Sequence, residues 1–226
     1  MTNITFNAAE DGLSGYRAPA HDRGGDSATD LVNVSIATLA LLFILPLMLL
    51  VALAIFLQDG GPVVFAHRRV GRNGRHFHCL KFRSMAADAE ARLADLLARD
   101  PVAREEWARD HKLKNDPRIT KLGAFLRKSS LDELPQLFNV LRGEMSLVGP
   151  RPIVDDEVTK YGRYFQHYCA VKPGITGLWQ VSGRNDVSYR TRVALDCTYA
   201  RSKSLGLDLW IMAATVPAVL CRRGSY

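Results

Sequence analysis

A long uncharged stretch near the start of the chain is its strongest hydrophobic pattern. No Asp, Glu, Lys or Arg occurs from Leu31 to Leu57, and the 22 residues Ile36–Leu57 are apolar except for Thr38 and Pro46. A helix of about 20 such residues is long enough to cross a bilayer. Because the run is apolar on every face, it fits a membrane helix better than a buried core helix. We therefore predict a membrane-inserted segment over residues 31–58.

Pro46 lies in the middle of this run and should disturb the helix. Proline removes one backbone hydrogen bond and clashes with the preceding turn, so a bend or a break is expected there. Two topologies stay open on this ground: a kinked helix that spans the bilayer, and a re-entrant helix-break-helix that returns to the same face. The residues before the apolar run are acidic, and four arginines follow it: Arg68, Arg69, Arg72 and Arg75. By the positive-inside rule, this charge distribution predicts a cytoplasmic location for most of the chain.

A second apolar stretch, Leu205–Leu220, lies near the C-terminus. It is interrupted by Asp208 and Pro217, and its 16 residues are too few to span a bilayer. With Trp210 inside it and Arg222-Arg223 after it, the pattern fits an interfacial helix that lies in the plane of the membrane surface. A helix at the edge of the protein core fits the same pattern equally well.

Between these stretches the pattern is mixed, with one strand-like region and several helical ones. Residues 62–85 alternate imperfectly around Gly71-Arg72-Asn73-Gly74, a turn sequence that predicts a short β-hairpin. The fold class predicted is α+β, mostly helical. Spacing predicts helices over Ser84–Arg99 (N-cap Ser84), Pro101–Leu113, Leu131–Leu141 (ended by Gly143) and Asp155–Tyr168, and a helix pair at the C-terminus. Turn residues predict a turn at Asp116-Pro117, a rigid loop over 149–152 and a Gly-rich loop over 172–184.

Composition indicates one folded domain with an appendage. The 226 residues are 47% hydrophobic and 23% charged, which is too apolar for a disordered chain. The four cysteines are widely spaced without a C-x-x-C pair, which excludes a zinc ribbon and a disulfide-stapled mini-protein. The net charge of +7 is uneven, since residues 1–30 carry −3 and the remainder +10. We predict a flexible acidic leader over residues 1–30, the membrane segment, and one domain over residues 59–226.

The clearest chemical pattern is Ser129-Ser130-Leu131-Asp132-Glu133-Leu134-Pro135. Proline is tolerated only in the first turn of a helix, so Asp132 and Glu133 are expected at a helix N-terminus. A capping box between Ser130 and Glu133 would account for both acids without any chemistry.

Basic residues in the sequence around this pattern favour a chemical role. A helix N-terminus among Lys and Arg side chains is suited to bind phosphate, and a carboxylate placed there would stay ionised and nucleophilic. A second carboxylate among phosphates can hold Mg²⁺. Chemistry on a phosphoanhydride at the membrane surface is the natural inference. The basic residues are Lys81, Arg83, Arg127, Arg142 and Arg151.

Four ordered motifs resemble the bacterial sugar transferase family, the monotopic polyprenol-phosphate phosphoglycosyl transferases. Together they are far more specific than any one alone, and the resemblance covers roughly residues 31–226. Within the family, the chain with its Arg-Gly-Ser-Tyr ending is most similar to members that begin a succinoglycan-type exopolysaccharide with galactose 1-phosphate. The motifs are Lys81-Phe82-Arg83-Ser84-Met85, Leu131-Asp132-Glu133-Leu134-Pro135-Gln136-Leu137, the run from Gly143 to Pro152, and the run from Lys172 to Gln180.

The resemblance implies a ping-pong reaction. Asp132 matches the nucleophile that attacks the β-phosphate of a UDP-sugar, releases UMP and forms an aspartyl phospho-sugar, which undecaprenyl phosphate then attacks. Glu133 matches the Mg²⁺ ligand. Pro46 matches the break of the re-entrant membrane helix. The residues Lys81, Arg127 and Arg151 match basic groups at the phosphate site.

The resemblance also implies a location and partners. It predicts a catalytic domain on the cytoplasmic face of the bacterial inner membrane, a UDP-hexose substrate (galactose, otherwise glucose), and downstream glycosyltransferases that use the product. Gln180 and Arg184 are expected to contact nucleotide or sugar, with the Trp179 ring as a stacking face. By residue type alone, a packed loop with a core tryptophan explains these three residues equally well. The alternative from another class is a non-enzymatic membrane-tethered module whose basic region binds anionic lipid or nucleic acid. The family resemblance implies no nucleic-acid partner.

Overall fold

The computed structural model describes residues 23–110, 113–183 and 187–220. These residues fall into two compact units. The first unit contains the described parts of residues 1–39, 68–79 and 137–225, and the second unit contains residues 40–67 and the described parts of 80–136. The two longest predicted features, the membrane helix and the hairpin, contribute residues to both units.

The described chain is mostly helical, as predicted, with two small sheets. One sheet is the predicted hairpin, β1 (Val64–Val70) and β2 (His76–Phe82); the other pairs β3 (Ser146–Val148) with β4 (Gly174–Thr176) in parallel. The helices are α1 Arg23–Asp59, α2 Ala89–Arg99, α3 Pro101–Asp110, α4 Lys121–Ser129, α5 Gln136–Leu141, α6 Asp155–Tyr161, α7 Phe165–Ala170, α8 Leu178–Val181, α9 Tyr189–Ser202 and α10 Leu205–Leu220.

Helix α1 is longer and more continuous than predicted. It begins at Arg23, so residues 23–30 of the predicted leader are helical, and it continues through Pro46 to Asp59. The expected break into two helical segments is therefore absent from α1. Proline deletes only one N–H donor, and the turns on both sides retain theirs. Residues 28–59 are the one helix in the described chain with the length and apolar composition to cross a membrane.

The second unit is built on the C-terminal half of α1. Met48, Val51 and Ile55 lie on one side of this helix and are buried against Phe82 of β2 and Leu126 of α4. Partly buried residues from the chain around the Asp132 motif, Leu131 and Leu134, pack against the same cluster. Burial of several large apolar side chains, each contributing about 1.5–3 kcal/mol, thus stabilises β2 and α4 against α1.

The N-terminal part of α1 is held within the first unit through polar groups. Asn33 is buried, and its Oδ1 accepts a hydrogen bond of 3.0 Å from the Leu147 backbone N–H on β3. Asp30 forms an ion pair with Lys172, with 2.8 Å between Oδ2 and Nζ. Residues at the start of the predicted membrane segment are therefore bound to the folded first unit.

The parallel pair β3–β4 was not predicted from the sequence. Its register places Ser146 opposite Gly174 and Val148 opposite Thr176. Gly174 is required by this pairing, because a Cβ there would lie 2.0 Å from the Gly149 backbone nitrogen. The region predicted as a Gly-rich loop over 172–184 contains β4 and the short helix α8.

Three other predicted boundaries are corrected by the structure. Ser84 does not cap a helix: α2 begins at Ala89, and the Ser84 hydroxyl is bound elsewhere. The helix predicted over Asp155–Tyr168 is divided, because Gly162 ends α6 with φ +49°. The helix predicted over Leu131–Leu141 is a 3₁₀ turn at Leu131–Glu133 followed by α5. The hairpin turn is confirmed, with φ +58° at Asn73.

Helix α10 combines features of both predicted alternatives. Its large side chains Leu205, Leu209, Trp210 and Val216 are exposed. Asp208 and Ile211 on the same helix are buried, and Asp208 Oδ1 lies 2.8 Å from the Tyr199 hydroxyl. One side of α10 is thus fixed to the first unit while apolar side chains remain exposed.

Candidate active site

The segment that carries Asp132 is a tight turn rather than a capped helix. Ser130 has the left-handed conformation (φ +58°) at the end of α4, and Leu131–Glu133 form a 3₁₀ turn. The Glu133 N–H binds the Ser130 carbonyl at 3.2 Å, whereas the Ser130 side chain makes no capping hydrogen bond to this turn. The capping-box explanation of the two acids is therefore wrong, because the left-handed backbone closes the turn through main-chain groups instead.

Glu133 is held by Lys81 of strand β2. Lys81 Nζ donates a hydrogen bond of 2.6 Å to Glu133 Oε1, and the two side chains are 25% and 28% exposed. Residues that lie 52 positions apart in the sequence are therefore adjacent, as the phosphate-site prediction requires. Because the pair is partly buried, it is screened less by solvent than a surface ion pair.

Asp132 is buried beside this pair, with 9% of its surface exposed. Burial raises the pKa of its carboxyl to about 6, and the nearby charge of Glu133 adds to the rise. The charges of Lys81 and Arg127 act in the opposite direction. The sequence prediction that basic neighbours keep this carboxylate ionised is thus only partly met, since burial outweighs them. The Asp132 carboxyl is therefore mostly ionised above about pH 6.

Arg127 is positioned from the last turn of α4. Its Nε donates a hydrogen bond of 2.8 Å to Ser84 Oγ, just beyond β2. The start of α4 is bound to the same segment, because the Thr120 N–H donates to the Ser84 carbonyl at 3.3 Å. The Thr120 hydroxyl also caps the helix by accepting from the Gly123 N–H at 2.9 Å. Gly123 permits this approach, since a Cβ there would lie 1.8 Å from the Ser84 carbonyl oxygen. The cations of the site are therefore placed by two elements in direct contact.

Arg83 has other partners than the predicted phosphate. Its Nη2 contacts Asp59 Oδ1 at the end of α1 and donates to the Gly60 carbonyl at 2.6 Å. The side chain is only 9% exposed. Arg83 therefore binds the end of α1 in this structure.

The remaining predicted site residues belong to the first unit or lie outside the described chain. Arg151 is exposed directly after Gly149-Pro150. The Gln180 side-chain amide donates to the Ile175 carbonyl at 3.2 Å, a local contact. Arg184 lies outside the described residues. The structure thus brings together Lys81, Arg127, Asp132 and Glu133 in the second unit.

Trp179 does not offer the expected stacking face. It is buried with 5% exposure, and the Arg192 guanidinium lies over its ring, 5.1 Å from the centroid. The prediction of a core tryptophan in a packed loop is the better description of this residue.

Sequence reasoning missed several residues that shape the site, among them Asp59, Ser84 and Gly123. Ser84 stands inside the Lys81–Met85 motif, so its neighbours could have indicated a role. Asp59 and Gly123 carry no pattern of their own, and their contacts with Arg83 and Ser84 depend on chain segments that are distant in sequence.

The two carboxylates of the site suit a Mg²⁺ ion shared with a substrate better than a metal ion bound only by protein side chains. Among the described residues, no group of three or more His, Cys, Asp and Glu side chains could hold a metal ion. Asp132 and Glu133 supply adjacent carboxylates, and Mg²⁺ commonly binds one or two carboxylates together with substrate phosphates and water. The residues present therefore fit such an ion when a phosphate substrate is bound.

Comparison with known proteins shows which family the sequence resembles. Residues 26–222 match the family model described as bacterial sugar transferase. The chain is 58% identical over 169 residues to the undecaprenyl-phosphate galactose phosphotransferase of Salmonella typhimurium, covering 75% of this chain and 36% of that protein. It is 54% identical over 198 residues to the UDP-galactose-lipid carrier transferase of Erwinia amylovora, covering 87% and 40%.

Another relative matches over nearly its whole length. The exopolysaccharide production protein ExoY of Rhizobium meliloti is 52% identical over 202 residues, which is 89% of each protein. The chain spans about two-fifths of the length of the Salmonella and Erwinia relatives. Since the family model matches residues 26–222, most of the sequence, the chain belongs to the bacterial sugar transferase family.

Proposed function

We propose that this protein transfers hexose 1-phosphate from a UDP-sugar to undecaprenyl phosphate and releases UMP, as the first membrane step of exopolysaccharide synthesis. The observation that carries the proposal is the buried Asp132 carboxyl beside the Lys81–Glu133 ion pair. The names of the relatives support a polyprenyl phosphate acceptor, and two of them support galactose as the sugar. Glycosyltransferases that extend a lipid-linked sugar would use the product.

The reaction has two displacements at the same phosphorus atom. An Asp132 carboxylate oxygen attacks the β-phosphorus of the UDP-sugar, and the bond from that phosphorus to the bridging oxygen of the α-phosphate breaks. UMP leaves with the bridging oxygen and its electron pair, and an aspartyl phospho-sugar remains. A phosphate oxygen of the lipid then attacks this phosphorus and releases the Asp132 carboxylate. The bond between the sugar and its phosphate stays intact throughout.

The surrounding residues supply charge and orientation. Lys81 and Arg127 are positive charges close enough to lower the pKa of Asp132, and they would balance the negative charge of a diphosphate in the same space. Glu133, oriented by Lys81, would hold Mg²⁺ together with phosphate oxygens. When bound, Mg²⁺ neutralises charge that develops on the phosphate oxygens and the leaving UMP. Burial of Asp132 limits access of water, which would otherwise hydrolyse the intermediate.

The membrane segment is proposed to be re-entrant, with the catalytic residues on the cytoplasmic face. Asp30 and Asn33 at its start are bound to Lys172 and Leu147 of the first unit, and those partners follow the membrane segment in the chain. Among the described residues, no second helix long and apolar enough to cross a bilayer lies between Asp59 and these partners. These contacts support a path that begins and ends on the same side.

The transfer reaction is tested without the lipid acceptor. The full chain in detergent is mixed with Mg²⁺ and either UDP-galactose or UDP-glucose. We expect one equivalent of UMP and a mass increase of one hexose phosphate on a peptide that contains Asp132, with the preferred sugar giving the faster burst. Asp132→Asn should abolish both signals. Turnover with lipid but no adduct at any time would exclude the covalent mechanism.

Topology is tested separately by labelling. A single cysteine placed at residue 28 or at residue 60, in a chain whose four native cysteines are replaced by serine, should react with an impermeant maleimide from the cytoplasmic side in both cases. Reaction of only the residue 28 variant from the periplasmic side would show a spanning helix.

A further inference from the structure

The four residues from Lys81 to Ser84 connect the end of the membrane helix to the Asp132 turn. All four contact other segments of the second unit. Lys81 binds Glu133, and Phe82 is buried against α1 and α4. Arg83 binds the end of α1, and Ser84 accepts from Arg127. A displacement of this short segment would therefore move the partners of both acidic residues together.

Arg83 and the end of α1 form a polar cluster of side-chain and backbone groups. Arg83 Nη2 contacts Asp59 Oδ1 and donates to the Gly60 carbonyl, while Asp59 Oδ2 accepts from the Ala87 N–H at 3.1 Å. The guanidinium also fills the turn: a Cβ on Gly61 would lie 2.8 Å from Arg83 Nη1. The Arg83 N–H is bound to the Val63 carbonyl at 2.9 Å. Side chain and backbone of Arg83 thus both fix the chain that leaves the membrane helix.

This arrangement leaves Arg83 poorly placed to bind a substrate phosphate. Its side chain is 9% exposed and is neutralised by Asp59. Its Nη2 atom already binds the Asp59 carboxylate and the Gly60 carbonyl, and its Nη1 atom is buried without a hydrogen-bond partner among the described residues, so the guanidinium offers a substrate no exposed donor pair. Lys81, two residues earlier, is 25% exposed and binds a residue of the catalytic turn.

We propose that Arg83 is a positioning residue: through Asp59 and Gly60 it fixes the end of β2 to the end of the membrane helix, and so aligns Lys81 with Glu133. This inference rests on the proposed transfer reaction for its kinetic consequence. It assigns the Arg83–Asp59 pair the task of keeping the catalytic turn at a constant position relative to the end of α1. Misplacement of a catalytic group by about 1 Å can cost about 100-fold in rate.

The kinetic experiment uses Asp59→Asn, Arg83→Gln and the double variant in the full chain, with UMP release measured before lipid is added. We expect each single variant to slow the burst by about 10- to 100-fold, with an unchanged burst amplitude and an unchanged KM for the UDP-sugar. The double variant should be no slower than the slower single variant, because both changes break one contact. Arg99→Gln, which breaks the exposed pair with Asp95, is the matched control and should behave as wild type.

Two outcomes would overturn the proposal. If Arg83→Gln raises the KM for the UDP-sugar about tenfold while Asp59→Asn behaves as wild type, then Arg83 binds substrate directly. If the burst amplitude falls and its rate constant does not, the pair only maintains the folded fraction and does not position the site.

A second measurement does not depend on the reaction. Amide hydrogen exchange over residues 80–84 and 131–135 should become about tenfold faster in both single variants, and should be unchanged in Arg99→Gln. Unchanged exchange over residues 131–135 in both variants would refute the coupling between the helix end and the catalytic turn. If the wild type releases no UMP at all, the proposed function fails, and hydrogen exchange still decides whether the Arg83–Asp59 pair orders the turn.

Discussion

Lys81 Nζ and Glu133 Oε1 lie 2.6 Å apart, which joins strand β2 to the turn that carries Asp132. The pair balances one of two adjacent carboxylates inside a partly buried site. Without Lys81, both acids would face each other with less compensation, and like charges at close range raise the pKa of a carboxyl. Lys81 therefore acts on Asp132 as well as on its direct partner.

Replacement of Lys81 should change both the rate and its pH dependence. Lys81→Met should slow UMP release by about 100-fold or more, since one preorganised charge in a site of this kind is worth a factor of that size. The charge of Lys81 lowers the pKa of Asp132, so its loss should move the acidic limb of the pH–rate profile to higher pH. Lys81→Arg keeps the charge and should retain the wild-type limb. A Lys81→Met profile that rises at the same pH as wild type would contradict this prediction.

Asp132→Asn should stabilise the protein at neutral and alkaline pH. The pKa of Asp132 is about 6 in the folded chain, against an ordinary value of 3.8, so folding favours the protonated acid. Wild-type stability should therefore fall as the pH rises from about 4 to about 6 and stay low above it. Asparagine cannot ionise and should gain about 2–3 kcal/mol relative to wild type at about pH 8.

Thermal unfolding in detergent at about pH 4.5 and about pH 8, without Mg²⁺ or nucleotide, measures this difference. The melting temperature of Asp132→Asn should exceed that of wild type by several degrees at the higher pH. The gap should shrink to about a third of that size at the lower pH. A gap that is larger in acid than in base would show that the carboxylate is stabilised by the fold.

Gly123 should tolerate no side chain. A Cβ there would lie 1.8 Å from the Ser84 carbonyl oxygen, which is backbone and cannot rotate away. Gly123→Ala should therefore lower the free energy of unfolding by about 3 kcal/mol or more, since it forces α4 away from the segment after β2. It should also lower the activity, because Arg127 moves with α4. Gly206→Ala is the control: no atom lies within 4 Å of its Cβ position, and it should unfold at the wild-type temperature or slightly above.

Sequence patterns correctly predicted the turns and helices that are determined by residues next to each other in the chain. The Asn73-Gly74 dipeptide needs positive φ and produced the predicted hairpin turn. The helices after Pro101 and at the C-terminus follow their periodicity. Gly162 could not be recognised as a helix end, because a glycine inside a periodic segment is compatible with an uninterrupted helix.

The site was predictable in its residue types and less so in its contacts. The grouping of Lys81 and Arg127 with Asp132 and Glu133 was predicted from the motifs, and the structure places all four in one unit. Arg83 stands in the same motif as Lys81, and the sequence around the two basic residues does not indicate that they have different partners. Its partner Asp59 ends an apolar helix 24 positions earlier, and only the tertiary structure shows which acid each base meets.

Asn33 should be essential for fixing the start of α1 to the first unit. The Leu147 N–H lies on the edge of β3 that does not face β4, and the Asn33 amide oxygen is its acceptor. Asn33→Leu should leave that buried donor unsatisfied, at a cost of about 1–3 kcal/mol, and a thermal unfolding series in detergent would show the loss as a fall of several degrees in the melting temperature.

Thr38→Val is the matched control for this substitution. The exposed Thr38 hydroxyl donates to the Val34 carbonyl of its own helix, so its removal should change the melting temperature little. Asn33→Leu should also increase amide exchange at Leu147, because the N–H loses its protein acceptor. Equal stability of the two variants, with Leu147 protected in both, would mean that another group accepts from this N–H and that the start of α1 is fixed by the Asp30–Lys172 pair instead.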